Sequence, residues 1–335
     1  MSTVDVESLL GELAEQRKDR AGISTTTLNV VAFVEEDEAF LERLTERTNQ
    51  LAERHAARTV LLVSSHKVTS HTVHSRCNEV ENTLLTHSEQ LQIGVSGVGG
   101  AELRSIAHAL TIPNVRTVLL WGGRHIADER FTLLAELANV AVIFSSATSD
   151  PLQMLRELVA LQHTPPAERV RDIAYLRLNP WQDLIAQFFD DDELTEELTT
   201  ISRVEVVCGS APEAYYLVGW LASRLHWDPC GPREFCNAAG ARIEIDVRIE
   251  GAPRRVRSVS LHSAQCVFGA AVENEAEELV CLTVEGRKHR PQRCLPLHDV
   301  DMIALVERAI FADVDSEVYA QTLAMAGRVL EQEAP

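Results

Sequence analysis

Imidazole and thiolate groups crowd one stretch of the chain, where His66, His71, His74, Cys77 and His87 follow one another closely. Both are zinc-ligand types, yet the H-x4-H-x2-H-x2-C spacing matches no familiar zinc pattern and no second cysteine pair supports it. The segment from Ser64 to Ser88 therefore reads as a solvated loop or edge hairpin. Gly94, Gly97, Gly99 and Gly100 form a second cluster, of the kind that lets backbone amides cradle a phosphate between a strand and a helix. Its register fails the dinucleotide fingerprint, because Glu102 stands at the third required position and a carboxylate there repels a pyrophosphate. A plain tight turn is the expectation, with a sugar-phosphate or nucleotide-binding enzyme using the Gly94–Gly100 turn as the alternative. Arg124, in Trp121-Gly-Gly-Arg124, stands at the carboxyl end of a predicted strand, where it can hold an anion or simply flank a turn. Cys230 and Cys236 flank a turn that can bring them into a disulfide. No GxSxG, HExxH or GK[ST] pattern occurs, so no catalytic residue, metal ligand or cofactor is assigned.

The elements that must carry these groups follow from periodicity. Residues 28–34 and 58–63 are short β-branched runs typical of buried strands, and the acidic patch Glu35 to Glu38 between them opens a helix running to about His55. Further strands are expected at 91–95, 115–121 and 138–144, with helices at 101–110, 126–137 and, after Asp150-Pro151, 152–161. This alternation predicts a mainly parallel, Rossmann-like α/β domain over residues 1–165, closed by the linker His163-Thr-Pro-Pro166. Residues 166–200 read as a hinge helix and an acidic linker. From 201 to 335 the chain predicts an α+β domain with an antiparallel sheet: a strand at 204–208, a helix, a meander of short runs between 242 and 295, and two closing helices, the first capped by Asp299.

Bulk properties narrow the function. The 335 residues hold 31 basic and 50 acidic side chains, a net charge of −19, and both halves are acidic. Such a balance disfavours nucleic acid and anionic membrane as partners and leaves proteins or small molecules. No apolar run approaches the roughly 20 residues of a bilayer helix, and the acidic N-terminal stretch does not read as a secretory leader. Seven cysteines, an odd number without a CxxC, fit a reducing cytoplasm better than a disulfide framework.

Two segments are distinctive. In DIAYLRLNPWQDLIAQFFD (172–190), Asn179-Pro180 is a helix start, Gln182 completes a capping-box-like pattern, and Trp181, Leu184, Ile185 and Phe188 share one face until Asp190 to Glu193 end it. A later helix opens on the capping box Ser210-Ala-Pro-Glu213 and is expected to end near Trp227. On it Tyr216, Trp220, Arg224 and Trp227 fall within about one 80° sector, a stripe that serves a protein's own core or a partner surface.

These two segments, with YYLVGWLASRLHW from Tyr215, resemble the glucose-6-phosphate dehydrogenase assembly protein family, OpcA. TLNVVAFV, RTVLLVSS and RTVLLW fit in order, as does a closing helix carrying Asp315, Tyr319 and Leu323, so the likeness spans nearly the whole chain. It implies a non-catalytic, cofactor-free, cytoplasmic accessory protein that binds glucose-6-phosphate dehydrogenase and promotes its assembly or activity in the oxidative pentose phosphate pathway. Arg177, Trp181, Trp220, Arg224 and Trp227 are the expected partner interface. The chain departs from the family pattern at Ser88, where a cysteine is expected, at His226, where the final glycine belongs, and at Gly122, which often is a second Trp. Redox control is therefore not carried over.

Overall fold

The computed structural model describes residues 4–18, 26–35, 38–64, 71–80, 84–162, 164–231, 234–252, 255–274, 279–297, 300–312 and 316–331. The chain opens with α1 (Val6–Lys18), β1 (Leu28–Glu35), α2 (Glu38–Arg54), β2 (Ala57–Ser64), β3 (His71–Val80), β4 (Leu84–Gly94), α3 (Gly100–Leu110), β5 (Arg116–Gly122), α4 (Glu129–Ala135) and β6 (Val140–Ile143). Next come α5 (Pro151–Leu161), β7 (Val170–Asp172), α6 (Ile173–Leu176), α7 (Asn179–Ala186), α8 (Asp192–Thr195), β8 (Arg203–Cys208) and α9 (Ala211–Arg224). Strands β9 (Asp228–Gly231), β10 (Glu234–Cys236), β11 (Arg242–Ile249), β12 (Val256–His262), β13 (Cys266–Asn274), β14 (Leu279–Gly286) and β15 (Arg290–Pro296) follow, then α10 (Met302–Phe311) and α11 (Ser316–Glu331). Two compact units result. The first joins residues 1–144, 163–172 and 302–312; the second joins 145–162, 173–301 and 313–335.

The first unit is built on a seven-stranded sheet in the order β3-β4-β2-β1-β5-β6-β7, parallel except where β3 runs against β4. Leu28 to Val34 of β1 are buried throughout, as a strand covered on both faces must be. Its polar member, Asn29, is satisfied: its amide donates to the Ile112 carbonyl at 2.9 Å and to Thr117 Oγ1 at 3.2 Å, and its oxygen accepts the Ile112 N–H. Helix α10 packs on β6 and α2, and its Glu307 accepts from Arg54 at 2.8 Å. From β4 to β7 the strand order is that of the dinucleotide fold, 3-2-1-4-5-6. The histidine-rich segment supplies the antiparallel hairpin β3–β4, with Cys77 opposite His87 in register. His66 lies outside the described residues, as does Asp299. Helix α4 is shorter than 126–137 because Asp128 caps its start and the amides of Leu137 and Ala138 turn back to Leu134 and Ala135.

The second unit holds an eight-stranded sheet, β15-β14-β13-β12-β8-β11-β10-β9, antiparallel apart from the β8–β11 pair. Alternation along β8 and β12 buries Val204, Val206, Val259 and Leu261 on one face. Helix α9 packs on β8 and β11, and α11 lies along α9. Gly219 permits that approach: a Cβ there would fall 2.4 Å from the Thr322 carbonyl oxygen. The cysteines overturn one expectation. Cys230 bonds Cys236, and Cys281 bonds Cys294 directly across β14 and β15, while Cys208 and Cys266 are free and buried. A count of cysteines cannot foresee a pair created by strand register.

Helix α9 also ends before Trp227. Leu225 is its C-cap, His226 takes the left-handed conformation at φ 54°, and the Trp227 N–H returns to the Ala222 carbonyl at 2.9 Å. This is a Schellman closure with a histidine at the position that favours glycine. Replacing His226 with Gly is expected to stabilise the protein by about 1 kcal/mol, and with Val to destabilise it, in urea unfolding.

Candidate functional site

In the second unit a turn from β8 into α9 places Glu213 in the first turn of that helix, where its charge suits the dipole. The carboxylate is fully buried. It accepts from the Arg177 guanidinium, just beyond α6, and from the Ser146 hydroxyl in the turn Ser145–Ala147. Because Arg177 and Ser146 capture Glu213, the expected capping box does not form, and Ser210 makes no side-chain cap bond. Asn179 likewise is not a cap: it is already the first residue of α7, behind Leu178. Cys208 ends β8 beside this group. Burial, then the Glu213 charge, pushes its thiol up to about 12, so it stays a neutral apolar filler and not a nucleophile.

The structure separates the five residues expected at an interface. Arg177 is spent on Glu213. Trp181 is 6% exposed on the buried face of α7, beside Leu184 and Ile185. Trp227 is 1% exposed and packs on Phe235 of β10, off the helical stripe, because the helix has already ended. Trp220 is half-buried and Arg224 exposed, its guanidinium bonding Gln321 of α11. Surface therefore remains at Trp220 and Arg224.

The acidic run after α7 does not hang free. Asp191 caps α8, and Arg290 donates to Asp191 at 2.8 Å and to Glu193 at 2.9 Å. Lys288, on the β14–β15 turn, lies 3.3 Å from the buried Glu197. The Ser263 hydroxyl, against the effect of burial and with help from Lys288, holds the Glu197 carboxyl below the ordinary range. Bonds from Arg290 and from the Glu193 amide do the same for Asp191.

In the first unit the change of strand order lies between β1 and β5, where Glu35 and Gly122 end their strands. Glu35 accepts the Arg124 N–H at 2.9 Å and the Arg130 guanidinium. The Arg124 side chain is exposed. Arg130 also donates to Asp128 through Nε at 2.8 Å and lies 5.1 Å over the Phe33 ring. Burial alone would raise the Asp128 carboxyl, but the bonds from Arg130 outweigh it and hold it low. Phe33 stacks on Trp121 at 4.6 Å. The Gly94–Gly100 turn instead joins β4 to α3, with Gly97 at φ 73°. Among the described residues, no three His, Cys, Asp or Glu side chains gather as a metal ion requires, and no helix is long and apolar enough to cross a membrane. Sequence reading missed the Glu213 and Glu35 ion pairs. A lone acid in the apolar run Ala211 to Ala222 was the available signal, since a buried charge must be paired.

Comparison with known proteins gives two adjoining matches. Residues 48–160 match the family described as glucose-6-phosphate dehydrogenase subunit N-terminal domain, and 168–323 its C-terminal domain. A Synechocystis protein bearing the name OxPP cycle protein OpcA is 31% identical over 123 residues, 36% of this chain and 26% of that one. Its Nostoc punctiforme namesake is 32% identical over 101 residues, 30% of this chain and 21% of that one. The chain thus spans about a quarter of the length of the curated relatives it matches. KijD10, a 3-ketoreductase from Actinomadura kijaniata solved with NADP and TDP-benzene, shares the fold at TM-score 0.50 and 12% identity, over 90% of this chain and 95% of that one.

Two outcomes follow from the buried and paired acids. Arg177→Met is expected to cost about 3 kcal/mol, since it strands a buried carboxylate, and Arg177→Met/Glu213→Leu less, in chemical unfolding. Asp191 and Glu197 have folded-state values below their unfolded ones, so their contribution is complete above about pH 5 and is lost as pH falls through the depressed values. Exchange protection over 191–197 should accordingly fall on acidification from pH 6 to about 3, before the β8–β12 core opens.

Proposed function

This chain belongs to the OpcA family of glucose-6-phosphate dehydrogenase subunits, and from that premise we propose that it is an accessory protein that binds glucose-6-phosphate dehydrogenase and promotes its assembly or activity in the oxidative pentose phosphate pathway. The reading is carried by one observation: both matches, which together run from residue 48 to 323 with a short gap, are to parts of a dehydrogenase subunit. The chain performs no bond chemistry of its own in this role. Supporting that, the polar groups best placed to react are already engaged, Glu213 with Arg177 and Glu35 with Arg130, and the Cys208 thiol is protonated. The net charge of −19 directs binding toward proteins and away from polyanions. Trp220 and Arg224 are the proposed contact, because a half-buried indole beside a guanidinium is the composition that interface centres favour.

Mixing the purified chain with its cognate dehydrogenase is expected to shift that enzyme's rate or oligomer size, and the chain alone to turn over no sugar phosphate. Unchanged rate and size, with no co-elution, would end the accessory reading. Trp220→Ala should weaken the complex about tenfold with little loss of stability. Trp227→Ala, by contrast, removes a core indole and should cost about 3–5 kcal/mol of folding. If the wild-type complex forms and neither Trp220→Ala nor Arg224→Ala weakens it, the contact lies elsewhere.

A further inference from the structure

The order β4-β2-β1-β5-β6-β7 is that of a fold whose cofactor crevice lies at the carboxyl ends of the first and fourth strands, here β1 and β5. In such a crevice a glycine-rich turn after the first strand lets a pyrophosphate approach the N-terminus of the next helix. The residues of this chain do not fit that group. Between Val34 and Phe40 the sequence reads Glu-Glu-Asp-Glu-Ala, with no glycine and four carboxylates. Glu35, the last residue of β1, is engaged: the Arg124 N–H from beyond β5 and the Arg130 guanidinium both donate to it, and Arg130 donates to Asp128 as well. The Arg124 N–H and the Arg130 guanidinium are thus already bound to the protein's own carboxylates. Across the same strand ends, Phe40 in the first turn of α2 sits directly on Gly122. A Cβ at Gly122 would fall 2.3 Å from Phe40 Cε1, so the ring takes up the space over that glycine. The ring is buried and meets Phe144 edge-on at 6.1 Å.

We propose that the first unit is a dinucleotide fold whose cofactor crevice is filled by its own side chains, Glu35 held by Arg124 and Arg130 on one side and Phe40 seated on Gly122 on the other, so that it takes no NAD or NADP. A dinucleotide entering there would have to break the Arg130 pairs, displace a packed ring and bring its phosphates against at least two carboxylates, Glu35 and Asp128. Those costs add. The glycine-rich turn at Gly94–Gly100 does not substitute, because it follows β4, away from the change of strand order, and carries Glu102 in the first helical turn. The inference concerns the first unit alone and stands or falls separately from dehydrogenase binding.

Equilibrium dialysis and amide exchange on the full chain test it. With NADPH, NADP+ or NAD+ at millimolar concentration, no saturable binding is expected and exchange over 122–130 should not change. In the ligand-free protein the Arg124 amide should exchange slowly, and Glu35→Gln should speed it about tenfold while β1 and β5 stay protected. Arg130→Gln should have the same local effect, and serves if Glu35→Gln does not fold. Saturable dinucleotide binding with new protection over 122–130 would overturn the proposal. So would an Arg124 amide whose exchange is unmoved in the folded variants, since the ion pairs would then not be what closes the crevice.

Discussion

Strand β1 is paired in parallel with β2 on one edge and β5 on the other, and every residue from Leu28 to Val34 is buried. Parallel neighbours cannot be joined by a tight turn, so each pairing requires a crossover, and the crossovers supply the helices that bury both faces. Because β2 and β5 extend the sheet in opposite directions from β1, the connections diverge there and leave a gap at the carboxyl ends. What fills that gap decides what the first unit can do. In this chain Glu35, Arg130 and Phe40 fill it. The second unit repeats the logic more locally, with β8 parallel to β11, antiparallel to β12, and leading straight into the helix that buries Glu213.

The parts of the fold that were legible in the sequence are those whose signal is local. Val30 to Val34, Val60 to Val63 and Val118 to Trp121 announce buried strands because each run is apolar by itself. Asp150 caps its helix as read, its carboxylate accepting the Gln153 N–H at 2.9 Å. Illegible were the features fixed by distant partners. Glu213 and Ser210 form a capping-box pattern, and Arg177 and Ser146, both far off in sequence, draw Glu213 away from it. Trp227 projects onto the stripe of Tyr216 and Trp220 only if the helix continues, and a histidine in the left-handed region gives no such warning as glycine would. Cys281 and Cys294 become partners through the register of β14 and β15. Glycines drew attention to the end of β4, whereas the topology makes the end of β1 the place that matters.

A common thread joins the two units. At several strand ends and helix starts a carboxylate is committed to a guanidinium: Glu213 to Arg177, Glu35 and Asp128 to Arg130, Asp191 and Glu193 to Arg290. Groups saturated in this way fix geometry and are poor at moving protons, since a general acid or base must exchange its proton with a substrate within reach. A protein that works by presenting a surface benefits from the opposite property, an interior that does not rearrange when a partner arrives.

The two units are interleaved along the chain, and the first is completed only by residues 302–312. Helix α10, which covers β6 and α2, leaves the ribosome after the whole of the second unit's sheet has been made. During synthesis the apolar surface of Val140 to Ile143 and of α2 must therefore wait, uncovered on that side, for nearly the entire chain to emerge. The nascent first unit is thereby exposed to chaperones and to aggregation for far longer than a contiguous domain of its size, and a C-terminal truncation before residue 302 would leave that surface bare for good.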